Sequence, residues 1–246
     1  MINLVKKTFR TKSFFRFVGE ILRAINSGRE TPVKRFADIC VENNVEFVFD
    51  IGANVGQFAV DLRRHHFCEE IFSFEPVPRI FEELAQNLRK DAKWRGFQLG
   101  VGDAVGDFKI QISGNSGLST SFLEMDKVHL ENFPESHYVD SETVSVTTLS
   151  DQISQLGIDA RKLAVKIDVQ GLELEVLKGA MENLAEINCL IIEVSLVPLY
   201  VGEAAFKDIL IFLEKHNHKI VDIFRGVKSK TGDLLQVDII SVRNSL

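Results

Sequence analysis

The sequence lacks the features that define several protein classes. It has only three cysteines, Cys40, Cys68 and Cys189, and they form no Cys-x-x-Cys pair, which argues against a disulfide scaffold and a structural zinc site. No apolar run approaches the roughly 18 residues of a membrane-spanning helix. The amino terminus lacks the apolar stretch and cleavage site of a secretory signal. We therefore predict a soluble, cytoplasmic globular protein.

A general excess of basic residues is also missing. The 29 Lys and Arg against 35 Asp and Glu give a net charge of −6, which argues against a nucleic-acid partner. The charge is uneven, because residues 1–35 contain nine Lys or Arg and two Glu, a local +7, so the remainder carries −13. The basic part is therefore distinct from an acidic main body.

Residues 1–45 are predicted to be a helical extension, and residues 46–246 the main domain. Apolar residues recur at helical spacing between Phe14 and Ile25, which predicts an amphipathic helix. This helix either covers the main domain or brings residues 1–30 into weak contact with an anionic membrane surface.

Apolar strands alternate with helical patterns from residue 46 onward. This alternation predicts an α/β fold with a mostly parallel sheet covered by helices on both faces. No helix separates the last two strands, so we expect an antiparallel last strand. The strands predicted for this sheet cover residues 46–51, 71–74, 97–101, 163–169, 190–194, 220–224 and 237–242.

Acidic residues stand at the carboxyl ends of the predicted strands, where ligands bind in such sheets. They are Asp50, Glu75, Asp103, Asp168 and Glu193. The turn after the first strand has two glycines rather than the three of a dinucleotide site, and carboxylates would repel a pyrophosphate. A cationic ligand without phosphates, such as S-adenosylmethionine, fits this edge better.

The positions of these acids predict which part of the cofactor each one would bind. Asp50 would hold the ammonium group directly or through water, while Gly52 and Gly56 would let the backbone approach the methionine part. Glu75, which follows 25 residues after Asp50, would bind the ribose hydroxyls. Asp103 would accept a hydrogen bond from the adenine amino group.

Four motifs in the same order resemble the FkbM family of S-adenosylmethionine-dependent methyltransferases. They are residues 50–56 (DIGANVG), 74–76 (FEP), 114–120 (GNSGLST) and 166–180 (KIDVQGLELEVLKGA). The resemblance covers about residues 46–242 and implies a Rossmann-like class I fold with seven strands. It implies O-methylation of a hydroxyl on a sugar, glycan or specialised metabolite. Cofactor contacts are expected at Asp50, Gly52, Ala53, Asn54, Gly56, Glu75, Pro76, Asp103 and Asp168.

A hydroxyl is a weak nucleophile, so in-line transfer of a methyl group calls for positioning and a general base. Asp168 is the first candidate for that base, followed by Glu173 and Glu193, with His129 and His137 as further possibilities. Glu173 is also compatible with a capping or solvated side chain. We assign no metal, because no further oxygen ligands beside Asp168 can be identified.

Two other functions remain open from the sequence. One is a nicotinamide-dependent oxidoreductase on a Rossmann-type fold, and the other is a non-catalytic binding module that keeps the fold. Residues 113–121 form a polar, glycine-bearing loop that is compatible with a lid over the substrate or with a passive surface loop.

Overall fold

A computed structural model describes residues 30–244 of the chain. The helix predicted over residues 14–25 lies outside the described residues, and so does nearly all of the segment predicted to contact a membrane. No helix in the described part is long and apolar enough to span a membrane.

The described residues form ten strands and seven α-helices. In chain order they are α1 (Pro32–Glu42), β1 (Phe47–Ile51), α2 (Gln57–Arg64), β2 (Glu70–Phe74), α3 (Pro78–Leu88), β3 (Trp94–Phe97), β4 (Gly100–Gly102), β5 (Gly106–Ser113), α4 (Lys127–Asn132), β6 (Tyr138–Thr148), α5 (Leu149–Leu156), β7 (Leu163–Ile167), α6 (Glu173–Gly179), β8 (Cys189–Ser195), α7 (Phe206–Lys215), β9 (His218–Arg225) and β10 (Gln236–Arg243).

Seven strands form the main sheet in the order β3-β2-β1-β7-β8-β10-β9. β1 pairs in parallel with β2 and β7, and β7 with β8, while β10 is antiparallel to both β8 and β9. The predicted α/β fold and the antiparallel last strand are therefore confirmed. β10 lies between β8 and β9, so the antiparallel strand is next to the sheet edge.

The strand predicted over residues 97–101 is wrong, because this segment belongs to two sheets. β3 ends at Phe97 and pairs with β2, whereas β4 begins at Gly100 and pairs with β6 in a second sheet, of order β4-β6-β5. The chain leaves the main sheet at Gln98 and Leu99, which are not in a strand. Only cross-strand pairing distinguishes these two short segments from one continuous strand.

Both faces of the main sheet are buried. One face carries phenylalanines in ring contact, with centroids 5.2 Å apart for the tilted pair Phe49 and Phe74 and 5.0 Å for the stacked pair Phe74 and Phe97. This face packs beneath α5, α6 and α7. The other face is covered by α1, α2 and α3. Because side chains alternate along a strand, Asp50 lies on the second face while Phe49 lies on the first.

α1 packs into this core although it precedes the predicted domain boundary at residue 45. Phe36 and Cys40 are fully buried against the sheet, and Arg35 Nε donates to Asp222 Oδ2 of β9 at 2.7 Å. The boundary itself stays a prediction.

Candidate active site

A cavity of about 350 Å³ opens at the carboxyl ends of β1, β2, β7 and β8. Its volume is at the lower end of the range typical of small-molecule sites. The wall is completed by the start of α1, by α2, by β4 and β5, by the loop after β5 and by β10. Ligands of open α/β sheets bind at this edge, so the cavity is the candidate active site.

The turn after β1 is held by backbone hydrogen bonds. The Gly52 and Ala53 N–H groups both donate to the Phe74 carbonyl at 3.0 Å. Gly52 has φ +72°, and a Cβ there would overlap the backbone oxygen of Asp168. Position 52 therefore requires glycine because the backbone of Asp168, just after β7, lies so close to it. This requirement holds whether or not a ligand also contacts Gly52.

Gly56 has a packing role and does not line the cavity. Its φ is +94°, and a Cβ there would lie 2.9 Å from Leu84 and 3.0 Å from Leu88 on α3. The predicted contact of Gly56 with the cofactor therefore has no support from the geometry, because the space beside its Cα is filled by α3.

Asp50 lies beneath the cavity rather than in its wall. The side chain is fully buried, its Oδ2 accepts from Ser73 Oγ at 3.2 Å, and its Oδ1 lies 3.4 Å from Lys166 Nζ. Burial raises the pKa of Asp50, although Lys166 and Ser73 oppose this effect. Asp50 therefore acts on Lys166, and a direct contact with a ligand ammonium group is not supported.

Glu75 follows β2 and lines the cavity. Its Oε2 accepts from the Asn54 N–H at 3.1 Å and its Oε1 from the Val77 N–H at 3.0 Å. Burial outweighs these two hydrogen bonds and raises the pKa of Glu75 to about 7. Each carboxylate oxygen has a second lone pair, so Glu75 can accept two hydroxyl donors.

The end of the cavity near β4 and β5 is apolar. It is lined by Pro76, Leu99, Val101, Ile110 and Phe122. Asp103, predicted to contact adenine, is exposed in the turn after β4 and is not part of the wall. The prediction assumed that residues 97–101 continue in the main sheet, and it loses its geometric basis because β4 pairs elsewhere.

Lys166 lines the cavity and was not predicted as a site residue. Its Nζ donates to the carbonyls of Ile51 at 3.1 Å and Gly52 at 2.7 Å, and lies 3.6 Å from Asp168 Oδ2. Burial by itself lowers the pKa of Lys166, but the carboxylates of Asp168 and Asp50 outweigh it and raise that pKa. The lysine therefore stays charged and holds the ends of β1 and β7 together.

Three carboxyl groups line the opposite end of the cavity, namely Asp168, Glu193 and Asp238. Asp238 of β10 lies opposite Glu193 of β8 in the antiparallel register. Burial, with Asp168 nearby, raises the pKa of Asp238 to about 6. The same two causes raise the pKa of Glu193 well above its ordinary value.

Two glutamine amides hold these carboxyl groups. Gln170 Nε2 donates to Asp168 Oδ1 at 2.6 Å and to Glu193 Oε2 at 3.2 Å. Gln236 Nε2 donates to the same Glu193 oxygen at 2.7 Å. Within residues 30–244, no three His, Cys, Asp or Glu side chains are arranged to hold a metal ion.

The other candidate bases lie outside the cavity wall. Glu173 is buried, and its Oε1 accepts from the N–H groups of Val169 at 3.3 Å and Gly171 at 3.0 Å. It therefore stabilises the turn that precedes α6. His129 is buried between the rings of Phe133 and Tyr200. His137 is exposed. Of the predicted bases, only Asp168 and Glu193 therefore line the cavity.

The loop over residues 113–121 roofs the cavity through Gly117, Leu118 and Thr120. It is internally bonded, since Ser113 Oγ accepts from the Ser119 N–H at 3.1 Å. Leu118 is 54% exposed, so an apolar side chain stands at the mouth. The loop is therefore part of the site, and its movement stays a prediction.

Lys166, Gln170, Gln236 and Asp238 were missed as site residues. One signal was available, because Lys166 is a charged residue in the middle of an apolar strand, where a charge needs partners. Nothing local marks Gln236, which donates to Glu193, or Asp238, which lines the cavity. Both lie on β10, which inserts between β8 and β9.

The strand order and the acidic, glycine-bearing edge define a Rossmann-like methyltransferase. A family model described as "Methyltransferase FkbM domain" matches residues 50–220. The chain therefore belongs to the FkbM methyltransferase family, as its motifs predicted, and the oxidoreductase alternative is set aside.

Three relatives illustrate the range of the family. The chain is 28% identical to 2-O-methyltransferase NoeI of Sinorhizobium fredii, over 76% of this chain and 77% of NoeI. It is 30% identical to 31-O-demethyl-FK506 methyltransferase FkbM of Streptomyces tacrolimicus, over 65% and 72%. It is 27% identical to hexuronic acid methyltransferase AglP of Haloferax volcanii, over 68% and 62%.

Proposed function

We propose that this chain transfers a methyl group from S-adenosylmethionine to a hydroxyl oxygen of a sugar or other small metabolite. The names of NoeI and of the FK506 enzyme state O-methylation, which supports oxygen as the acceptor atom. The observation that carries the proposal is the division of the cavity, with Glu75 and an apolar wall on one side and Asp168 on the other.

The residues present fit the cofactor. Both oxygens of Glu75 have room to accept ribose hydroxyls, and Leu99, Val101 and Phe122 form an apolar wall suited to a purine. In the described wall Lys166 is the only Lys or Arg, and two of its N–H groups are bonded to carbonyls. The wall therefore suits a cationic cofactor better than a polyphosphate.

The chain's own residues supply orientation and proton transfer. When bound, S-adenosylmethionine would supply an electrophilic methyl group, and the sulfur–methyl bond would break to leave S-adenosylhomocysteine. Asp168 accepts the proton of the acceptor hydroxyl as the new bond to oxygen forms, which is general base catalysis. Lys166 and Gln170 stabilise the carboxylate in the position required for that step.

Glu75→Gln is expected to weaken S-adenosylmethionine binding by about 10- to 100-fold, because one charge-assisted acceptor is lost. Isothermal titration calorimetry measures this change. Since the pKa of Glu75 is about 7, the wild-type carboxyl takes up a proton below that pH and accepts less well. Wild-type affinity should therefore fall from pH 8 to pH 6, while the variant's affinity stays nearly constant.

Glu70→Gln is the matched control, since Glu70 begins the same strand at its other end. It should bind the cofactor as the wild type does. Absence of binding by the wild-type chain at pH 8 would overturn the proposed function. Equal affinity of the Glu75→Gln variant would overturn only the role of Glu75.

The acceptor is expected to carry no negative charge close to its reacting hydroxyl. Asp168, Glu193 and Asp238 line this end of the cavity, and Lys166 is occupied by Asp50 and two carbonyls. A carboxylate on the acceptor would therefore lack a cation to pair with in the described wall. AglP, named for hexuronic acid, is expected to differ from this chain here.

Methyl transfer to glucoside, glucosaminide and glucuronide versions of one glycoside tests this expectation. We expect kcat/KM for the uronic acid to be lower by about tenfold or more, the order of one uncompensated charge contact. In the double variant Glu193→Gln, Asp238→Asn, the difference in kcat/KM between the uncharged glycosides and the glucuronide should be smaller. A wild-type enzyme that prefers the glucuronide would refute the charge argument and leave the methyl transfer intact.

A further inference from the structure

Gln170 joins two carboxyl groups that lie at the ends of different strands. It lies three residues after the end of β7, has φ +56° and lines the cavity. Its single amide nitrogen donates to Asp168 at 2.6 Å and to Glu193 at 3.2 Å. Both hydrogens of the amide are therefore used to hold two groups that would otherwise repel each other.

Tyr200 determines which end of the amide faces the carboxyl groups. Its hydroxyl donates to Gln170 Oε1 at 2.8 Å, so the amide oxygen is turned away from Asp168 and Glu193. Tyr200 is 1% exposed and packs with Met125, Leu199 and Leu235. This packing makes the orientation of the hydroxyl, and hence of the amide, a property of the fold.

The backbone around Gln170 is fixed on both sides. Ser121 Oγ donates to the Gln170 carbonyl at 2.6 Å. This hydrogen bond connects Gln170 to the end of the loop over residues 113–121. The neighbouring N–H groups of Val169 and Gly171 donate to buried Glu173. Gln170 is therefore held by its backbone and by both ends of its side chain.

We propose that Gln170 is a positioning residue that sets the orientation and charge of Asp168 and Glu193, and that Tyr200 acts through it. This role rests on the proposed function, in which Asp168 is the base. An amide carries no charge and donates twice, so it stabilises an ionised Asp168 beside Glu193. A carboxylate at position 170 would instead add a third negative group to the pair.

The titration of these carboxyl groups tests the proposal without an acceptor. Charged and titratable groups face Asp168 from β1 (Asp50), β7 (Lys166), α6 (Glu173), β8 (Glu193) and β10 (Asp238). Carboxyl-¹³C NMR of the labelled protein, assigned with Asp168→Asn and Glu193→Gln, follows both groups with pH. We expect Gln170→Glu to move their midpoints upward by about one pH unit.

Tyr200→Phe should move the same midpoints in the same direction by a smaller amount, because the amide is then free to turn. Tyr138→Phe is the matched control, since that hydroxyl belongs to the same cluster but donates to the Leu123 carbonyl at 2.6 Å. It should leave both midpoints unchanged. Circular dichroism confirms that each variant is folded.

In the methyl-transfer assay, Gln170→Glu is expected to lower kcat by about 10- to 100-fold while KM for S-adenosylmethionine changes little. Wild-type midpoints in both Gln170→Glu and Tyr200→Phe would overturn the proposal, and so would an unchanged kcat. If the wild type binds no S-adenosylmethionine, the proposed function fails, and the NMR titration still decides the role of Gln170.

Discussion

Asp168→Asn is expected to lower kcat by about 10²- to 10⁴-fold, the range for loss of a general base. Asparagine has the size of aspartate but cannot take the proton of the acceptor hydroxyl. Affinity for S-adenosylmethionine should change by less than about tenfold, because Glu75 and the apolar wall are untouched. Single-turnover methyl transfer measured beside calorimetric binding separates the two effects.

Asp107→Asn is the control for this substitution. Asp107 is exposed, its Oδ1 accepts from Ser145 Oγ at 2.7 Å, and it does not line the cavity, so this variant should keep nearly all of the wild-type kcat. If Asp168→Asn retains more than about a tenth of kcat, Asp168 is not the base. Glu193→Gln would then be the next variant to measure, since Glu193 also lines the cavity.

Gly52→Ala is expected to lower the free energy of unfolding by about 2–5 kcal/mol. A left-handed backbone costs a non-glycine residue about 1–2 kcal/mol, and overlap with a fixed group adds about 1–3 kcal/mol. The overlap here is with the backbone oxygen of Asp168, which cannot move without disturbing the end of β7. Urea denaturation followed by circular dichroism measures the loss.

Gly157→Ala isolates the backbone cost from the overlap. Gly157 ends α5 with φ +65°, close to the +72° of Gly52, but a Cβ there would meet nothing within 4 Å. This variant should lose only about 1–2 kcal/mol. Equal losses in the two variants would show that the approach of Asp168 contributes nothing, and that the motif glycine serves conformation alone.

The motif over residues 166–180 is explained partly by packing. Gly179, in the segment Leu177-Lys178-Gly179-Ala180, lies where α6 meets β4, and a Cβ there would overlap the Gly102 backbone oxygen. This glycine therefore lets a helix approach the small sheet. The family resemblance could be read from such residues, but their physical role could not.

The sequence predicted the seven main-sheet strands with one error, at residues 97–101. Apolar runs such as residues 47–51 and 163–167 carry a local signal, because buried parallel strands are apolar on both faces. The segment after Phe97 carries no such signal for the change of sheet. That change depends on the pairing of β4 with β6, which lies more than 40 residues further along the chain.

Only some of the predicted site residues share one cavity, and their roles stay predictions. Asp168, Glu193 and Glu75 line one cavity, together with Gly52, Ala53, Asn54 and Pro76. Asp50, Gly56, Asp103 and Glu173 do not line it. The sequence pattern shows that a residue lies at the carboxyl end of a strand, where ligands bind. It does not show on which face of the sheet the side chain lies.

The sequence by itself determined where most of the main-sheet strands lie along the chain, the acidic residues at their ends and membership in the FkbM methyltransferase family, because these depend on local patterns and motifs. Only the tertiary structure decided which acids share a cavity and what holds them. Asp50 lies beneath Lys166, and Gln170 is oriented by Tyr200. Such pairs are joined by sheet register and loop packing across long separations, which no local pattern encodes.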